Sequence, residues 1–125
     1  MKNKVETRLP TESQIHMAIM QWVSFQKKIC DDIIHIPNEG ARNPSFGAKL
    51  KKLGMKRGVP DLFIAVPSNG FHGAWIEVKQ PKGKLTKEQE IFLDRANKNG
   101  YFTAVVYSVD EGINAISWYM NIAKE

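Results

Sequence analysis

Two acids and a lysine stand at a spacing that suits phosphodiester hydrolysis. Asp61 begins one short apolar run, Glu77 lies in a second run after fifteen intervening residues, and Lys79 follows two positions later. Strand side chains alternate between the two faces of a sheet, so Glu77 and Lys79 should project from the same face. Carboxylates at adjacent strand ends can bind a hard cation such as Mg²⁺ or Mn²⁺. Such an ion, with a lysine directed at the same point, is what hydrolysis of a phosphodiester needs.

Each of these residues also has a purely structural interpretation. Asp61 follows Pro60, and Pro-Asp is a common turn pair. Glu77 could face water from an edge strand, although a carboxylate among apolar neighbours is costly without a partner or a cation. Lys79 could form a surface pair that contributes little. The combined spacing favours metal binding by both acids. It leaves open whether Lys79 deprotonates the attacking water or only orients it.

Basic residues surround these acids. The 125 residues include 18 Lys and Arg against 13 Asp and Glu, a net charge of +5. No acid occurs in residues 40–60 or in residues 78–87, and each run flanks one of the two motif acids. A basic rim around an acidic centre suits a polyanionic substrate, although solvated surface loops can have the same composition. The candidate phosphate contacts are Arg42, Lys49, Lys51, Lys52, Lys56, Arg57, Lys82 and Lys84.

Other chemistries lack their residues in this chain. Cys30 is the only cysteine, which excludes a disulfide framework and a cysteine zinc site. His16, His35 and His72 are too scattered for a zinc-binding motif. No apolar run reaches the roughly 18 residues of a membrane span, and the N-terminus lacks the apolar core of a signal peptide. We therefore expect an intracellular protein with no membrane association and no small-molecule cofactor.

The elements that must position the acids follow from apolar periodicity. Residues 1–10 predict a loose N-terminal segment, and residues 11–125 predict a single domain. Residues 41–59 indicate mainly a basic connection with at most one helical turn. The remaining pattern predicts helices over residues 11–29, 86–99 and 108–120 and strands over residues 33–36, 61–66, 74–79 and 101–107. The order α-β-β-β-α-β-α predicts a mixed α/β sheet flanked by helices, with the strand pairing left open.

Two further polar residues stand at predicted helix starts. Thr86 and Gln89 have the spacing of a capping box, so Gln89 could serve only the helix terminus or could reach into the site. Glu12 stands where the helix dipole favours a carboxylate, which is a sufficient structural reason for an acid there. It could also belong to the metal site.

The chain resembles the VRR-NUC family of the PD-(D/E)xK nuclease superfamily, which has the restriction-endonuclease-like fold. The resemblance covers roughly residues 11–120 and is carried by residues 56–62, 77–79, 85–89 and 104–107. It implies a Mg²⁺- or Mn²⁺-dependent DNA endonuclease. The ion would be held by Asp61, Glu77, the main-chain carbonyl of Val78 and Glu12, with Lys79 and Gln89 as further catalytic residues.

The resemblance also implies a substrate and an assembly. Stand-alone members of this family, from phages and bacteria, act as homodimers on branched DNA such as four-way junctions, in the cytoplasm of the bacterium or phage host. We expect the same here, with Trp118 and Tyr119 of the last helix as candidate interface residues. The alternatives are a nuclease for plain duplex or single-stranded DNA, and a non-catalytic basic DNA-binding protein with the same fold.

Overall fold

The computed structural model of the chain describes residues 8–37 and 44–123. The elements are α1 (Glu12–Ser24), a 3₁₀ turn (Cys30–Asp32), β1 (Ile33–His35), α2 (Pro44–Lys52), β2 (Leu62–Ile64), β3 (Ala74–Val78), α3 (Lys87–Lys98), β4 (Phe102–Val106) and α4 (Val109–Met120). The predicted mixed α/β architecture is confirmed. Across the described part of the chain, no helix is long and apolar enough to cross a membrane.

The four strands form one sheet in the order β1-β2-β3-β4. Both β1–β2 and β2–β3 are antiparallel, whereas β3 and β4 are parallel. The connection between β2 and β3 contains a tight turn closed by the bridge between Ser68 and Phe71, in which Asn69 and Gly70 adopt left-handed conformations, with φ of 51° and 84°. Leu62 pairs with Ile76, so Asp61, which immediately precedes β2, lies beside Glu77 of β3. The sheet register therefore brings the two motif acids together.

One face of the sheet carries the hydrophobic core under α1 and α4. Ile15, Ile19 and Val23 of α1 recur every four residues and are all buried. Gly112 lets α4 approach closely, because a Cβ atom there would lie 2.3 Å from Cδ1 of Ile19. The first helix, predicted over residues 11–29, is confirmed but ends at Ser24.

The end of α4 is hydrogen-bonded to the segment that leads into the β2–β3 turn. The hydroxyl of Tyr119 donates to the carbonyl of Val66 at 2.6 Å. In return, Ser68 donates its hydroxyl to the carbonyl of Tyr119, and Asn69 donates its side-chain amide to the carbonyl of Trp118 at 3.0 Å. Tyr119 is fully buried, so it cannot be the surface residue that the sequence suggested. Trp118 remains 53% exposed.

The opposite face of the sheet is covered by α3. Its N-terminus has the predicted capping box between Thr86 and Gln89, which the structure confirms. Leu93 and Ala96 are buried on the inner side of the helix. The ring of Phe92 packs edge-on against Trp75 of β3, with 5.0 Å between centroids. This helix therefore lies over the face from which Trp75, and two residues later Glu77, project.

The structure differs from the expected elements mainly between β1 and β2. Residues 44–52 form a nine-residue helix, where the sequence suggested no more than one turn. Proline is favoured at a first helical position, and lysines in the last turn complement the helix dipole, so the local sequence is compatible with this helix. The predicted strand over 61–66 is shortened to Leu62–Ile64, with Ala65 exposed. Residues 1–7 and Arg42 lie outside the described residues.

Candidate active site

Asp61 is held against the main chain of two neighbouring strands. Its Oδ2 accepts a hydrogen bond from the main-chain N–H of Val78 at 2.8 Å. Its carbonyl accepts the N–H of Ile36 at 2.8 Å and lies 3.2 Å from Nδ1 of His35. The hydrogen bond from the main chain of Val78 fixes the Asp61 carboxylate beside β3.

Glu77 is buried, with 3% of its surface exposed. Its Oε2 lies 3.3 Å from Nζ of Lys79 and accepts a hydrogen bond from Nε2 of Gln89 at 3.1 Å. Burial, and secondarily the charge of Asp61, raise the pKa of Glu77 to about 7, against the opposing effect of Lys79. One ammonium therefore does not fully compensate the two carboxylates, and the site favours a further positive charge.

Lys79 lies on the same face of its strand as Glu77 and is 6% exposed. Its main-chain N–H donates to the carbonyl of Val106 at 2.9 Å, which continues the pairing of β3 with β4 just beyond the strand. The ammonium is thus desolvated and fixed within 3.3 Å of a carboxylate. A cation held in this way can act on a phosphate or on a water bound next to Glu77.

Gln89 satisfies both interpretations that the sequence left open. Its main-chain N–H donates to Oγ1 of Thr86 at 3.2 Å, and its Oε1 accepts the N–H of Thr86 at 2.8 Å. The remaining amide group, Nε2, donates to Glu77. Capping the helix therefore orients the amide toward the buried acid.

Gly58 brings the loop before Asp61 against the start of α3. Its φ is +83°, and a Cβ atom would lie 2.5 Å from the carbonyl carbon and oxygen of Glu88 and 2.9 Å from the amide nitrogen of Gln89. Only glycine permits this backbone approach. The sequence showed Gly58 only as part of the motif over residues 56–62, because its close neighbour is thirty residues away along the chain.

A cavity of about 480 Å³ adjoins Asp61, and its lining also includes Glu12, His16, His35 and Val78. Glu12 is exposed, and its charge is near enough to raise the pKa of Glu77 slightly. The contact of His35 with the Asp61 carbonyl was not predicted, because it depends on the pairing of β1 with β2, which no spacing reveals.

The donors present suit a magnesium-like ion. Among residues 8–37 and 44–123, no three His, Cys, Asp or Glu side chains are grouped so that they could hold a metal. Asp61 and Glu77 provide two carboxylates, and the main chain of Val78, whose carbonyl the family resemblance implies as a further ligand, adjoins Asp61. Mg²⁺ is commonly held by one or two carboxylates and keeps several waters, so this donor set fits it. Glu12 borders the same space without completing a third side-chain ligand.

The basic residues predicted to contact DNA divide into groups. Lys51, Lys56 and Arg57 line a groove of about 720 Å³ together with Thr86 and Gln89. Lys49 and Lys52 are exposed in the last turn of α2. Lys82 and Lys84 are exposed in the connection from β3 to α3. This groove therefore places basic side chains next to Gln89, which contacts Glu77.

Comparison with known proteins agrees with this geometry. A family model described as the VRR-NUC domain matches residues 3–110. Among solved structures, the chain is similar to one described as a VRR-NUC domain protein, with 29% sequence identity and a TM-score of 0.80, over 94% of this chain and 93% of that chain. The search of curated proteins found no match. The mixed sheet with its flanking helices is thus the restriction-endonuclease-like fold.

Proposed function

Because the chain belongs to the VRR-NUC domain family, which is a family of nucleases, we propose that it is a divalent-metal-dependent endonuclease that hydrolyses phosphodiester bonds of branched DNA. The observation that carries the proposal is the buried Glu77, which Lys79, Gln89 and the neighbouring Asp61 surround. A structural role alone does not account for this group, because an apolar pair would fill the same space at lower cost.

Asp61, Glu77 and the carbonyl of Val78 would hold Mg²⁺ or Mn²⁺, with Glu12 acting through water. When bound, the ion neutralises charge on the scissile phosphate and makes a nearby water a better nucleophile. Its positive charge would also stabilise the charged form of Glu77, which burial and Asp61 disfavour.

The other residues position the reactants. Lys79 would align the attacking water and stabilise the charge that develops on the phosphate oxygens. Gln89 holds the Glu77 carboxylate in one orientation through the bond to its Oε2. The basic groove that contains Lys51, Lys56 and Arg57 would bind the DNA backbone without reading its sequence. The products would be a 5′-phosphate and a 3′-hydroxyl, as in the superfamily.

The test is cleavage of four labelled substrates, namely a four-way junction, a flap, a duplex and a single strand, each with Mg²⁺ or Mn²⁺ and with EDTA. The substitution Asp61→Asn should lower cleavage by two or more orders of magnitude, because it weakens the ion site. Junction binding should stay within a few-fold, because it depends on the basic residues.

The matched control is Asp94→Asn, which alters an exposed carboxylate paired only with the exposed Lys98 and should leave cleavage unchanged. Full cleavage by Asp61→Asn would contradict the proposed site. Binding without cleavage of any substrate would favour the non-catalytic alternative. Equal cleavage of duplex and junction would favour a nuclease for plain DNA.

A further inference from the structure

A second groove, of about 540 Å³, runs along α3 and combines aromatic with basic side chains. Trp75, Phe92 and Tyr101 line it, and all three remain partly exposed. Its charged lining consists of three cations and one carboxylate, namely Lys56, Arg57, Arg95 and Glu88. The groove is therefore apolar and aromatic along its wall and carries an excess of positive charge.

The groove begins where the active site ends. Trp75 and Glu77 lie two positions apart on β3, so both side chains project from the same face of the sheet. They are separated by about 6.6 Å along the strand. On α3, Gln89 contacts Glu77 at 3.1 Å, and Phe92, one turn later, packs on Trp75 with 5.0 Å between centroids. The helix thus carries the active site at its start and the groove one turn further along. Lys56 and Arg57 line both this groove and the basic groove.

We propose that this groove binds an unpaired base of the DNA strand next to the scissile phosphate, while Arg57 and Arg95 contact the phosphates that flank the base. Every base can stack on an aromatic ring, so such a site tolerates any sequence. A base inside a duplex cannot enter it. The excess of cations favours a polyanionic occupant over an apolar protein surface. The inference rests on the proposed nuclease function and narrows its substrate to DNA with an unpaired nucleotide at the cut.

The first experiment measures binding to a fluorescently labelled single-stranded oligonucleotide and to a strand of equal length without bases. Both carry the same charge, and EDTA prevents cleavage. The full-length chain should bind the natural strand about five- to a hundred-fold more tightly, the range expected for one stacked base. Tyr101→Leu should remove most of that preference and leave binding of the base-free strand unchanged. Equal binding of the two strands by the unaltered protein would overturn the proposal.

The phosphate contact has a matched control on the same helix. Arg95→Gln and Lys98→Gln remove one exposed charge each, but only Arg95 lines the groove. Arg95→Gln should weaken oligonucleotide binding several-fold more than Lys98→Gln does. Equal losses would show that only the net charge matters and would overturn the assignment of Arg95.

Ile91→Asp tests the groove without relying on a buried ring, since Ile91 lines the groove on α3 and is 51% exposed. The new carboxylate should weaken binding of the natural strand several-fold. If it instead changes the mass measured by light scattering and leaves DNA binding intact, the groove is covered by a second copy of the chain and the proposal fails. These binding measurements need no catalysis, so they test the groove separately from the proposed nuclease function. A protein that cuts no substrate can still prefer the natural strand, and a nuclease can still bind both strands equally.

Discussion

The electrostatic environment of Glu77 disfavours the charged form of its carboxyl group. It is buried on the α3 side of the sheet beside Asp61, and these two effects raise its pKa to about 7 in spite of Lys79. Near neutral pH the metal-free protein therefore holds a carboxylate that is only partly compensated. A divalent ion bound beside Glu77 would compensate this charge, so metal binding would also stabilise the fold.

Glu77→Gln should make stability less dependent on pH. The pKa of Glu77 in the folded state is about 7, and the ordinary pKa of the group is 4.5. Between these values the folded state binds more protons, so the contribution of Glu77 to stability falls as pH rises through this range. In EDTA, raising the pH from 4.5 to 8 should cost the unaltered protein about 1–3 kcal/mol more than Glu77→Gln. Urea unfolding at both pH values measures this difference, and parallel pH profiles would refute it.

Lys79→Ala should lower turnover by about two to four orders of magnitude, which is the usual contribution of a positioned acid–base or electrostatic group. Its affinity for Mn²⁺ should stay the same or rise, because a cation 3.3 Å from a candidate ligand is removed. Single-turnover cleavage and isothermal titration separate the two effects. Lys27→Ala, which alters an exposed lysine outside the candidate DNA-binding residues, is the control. Loss of Mn²⁺ binding in Lys79→Ala would contradict its assigned role.

At the scale of elements, the contact of Gly58 with α3 sets where the helix begins relative to Asp61. Gly58→Ala would introduce both a left-handed alanine and an overlap with the backbone of Glu88. We expect a loss of about 1–3 kcal/mol in stability and a fall in cleavage rate, because the start of α3, and with it Gln89, must move away from Glu77. Urea unfolding and the cleavage rate of the flap or junction report the two effects.

Gly54→Ala is the matched control for the backbone strain alone. Its φ is +102°, but a Cβ atom there would meet nothing within 4 Å. This variant should lose about 1–2 kcal/mol of stability while retaining cleavage. Equal loss of cleavage in both glycine variants would indicate that backbone strain, and not the contact with α3, disturbs the site.

Local patterns predicted the elements and only part of their arrangement. The capping box of Thr86 and Gln89 marked the start of α3, since its hydrogen bonds join residues three positions apart. The helix over residues 44–52 was not predicted, because a glycine (Gly47) and several lysines are also typical of a loop. Strand pairing was left open, since it depends on contacts between distant segments. The spacing of Asp61 and Glu77 suggested a site. The groove at Trp75 had no sequence signal, because its lining also depends on contacts between distant segments.

At the scale of the whole molecule, we expect a homodimer, because the proposed cleavage of a four-way junction requires two symmetric cuts and one site would cut one strand. Trp118, on the surface of α4, is the remaining candidate from the predicted aromatic pair. Light scattering at micromolar concentration should give twice the chain mass, and Trp118→Ser should shift it toward the monomer. Phe25→Ser, at a residue 69% exposed beyond the end of α1, is the control. A strict monomer that cuts junctions symmetrically would contradict the expectation.

The hydrogen bonds between residues 66–69 and the end of α4 have a consequence for synthesis in the cell. During translation, the β2–β3 hairpin emerges long before Trp118 and Tyr119, which complete its contacts. An isolated hairpin is marginal in water, so both acids exist on the nascent chain well before the sheet holds them together. Prematurely terminated chains should therefore carry the acids without an assembled site. We therefore expect a chain that ends before Trp118 to show none of the proposed nuclease activity.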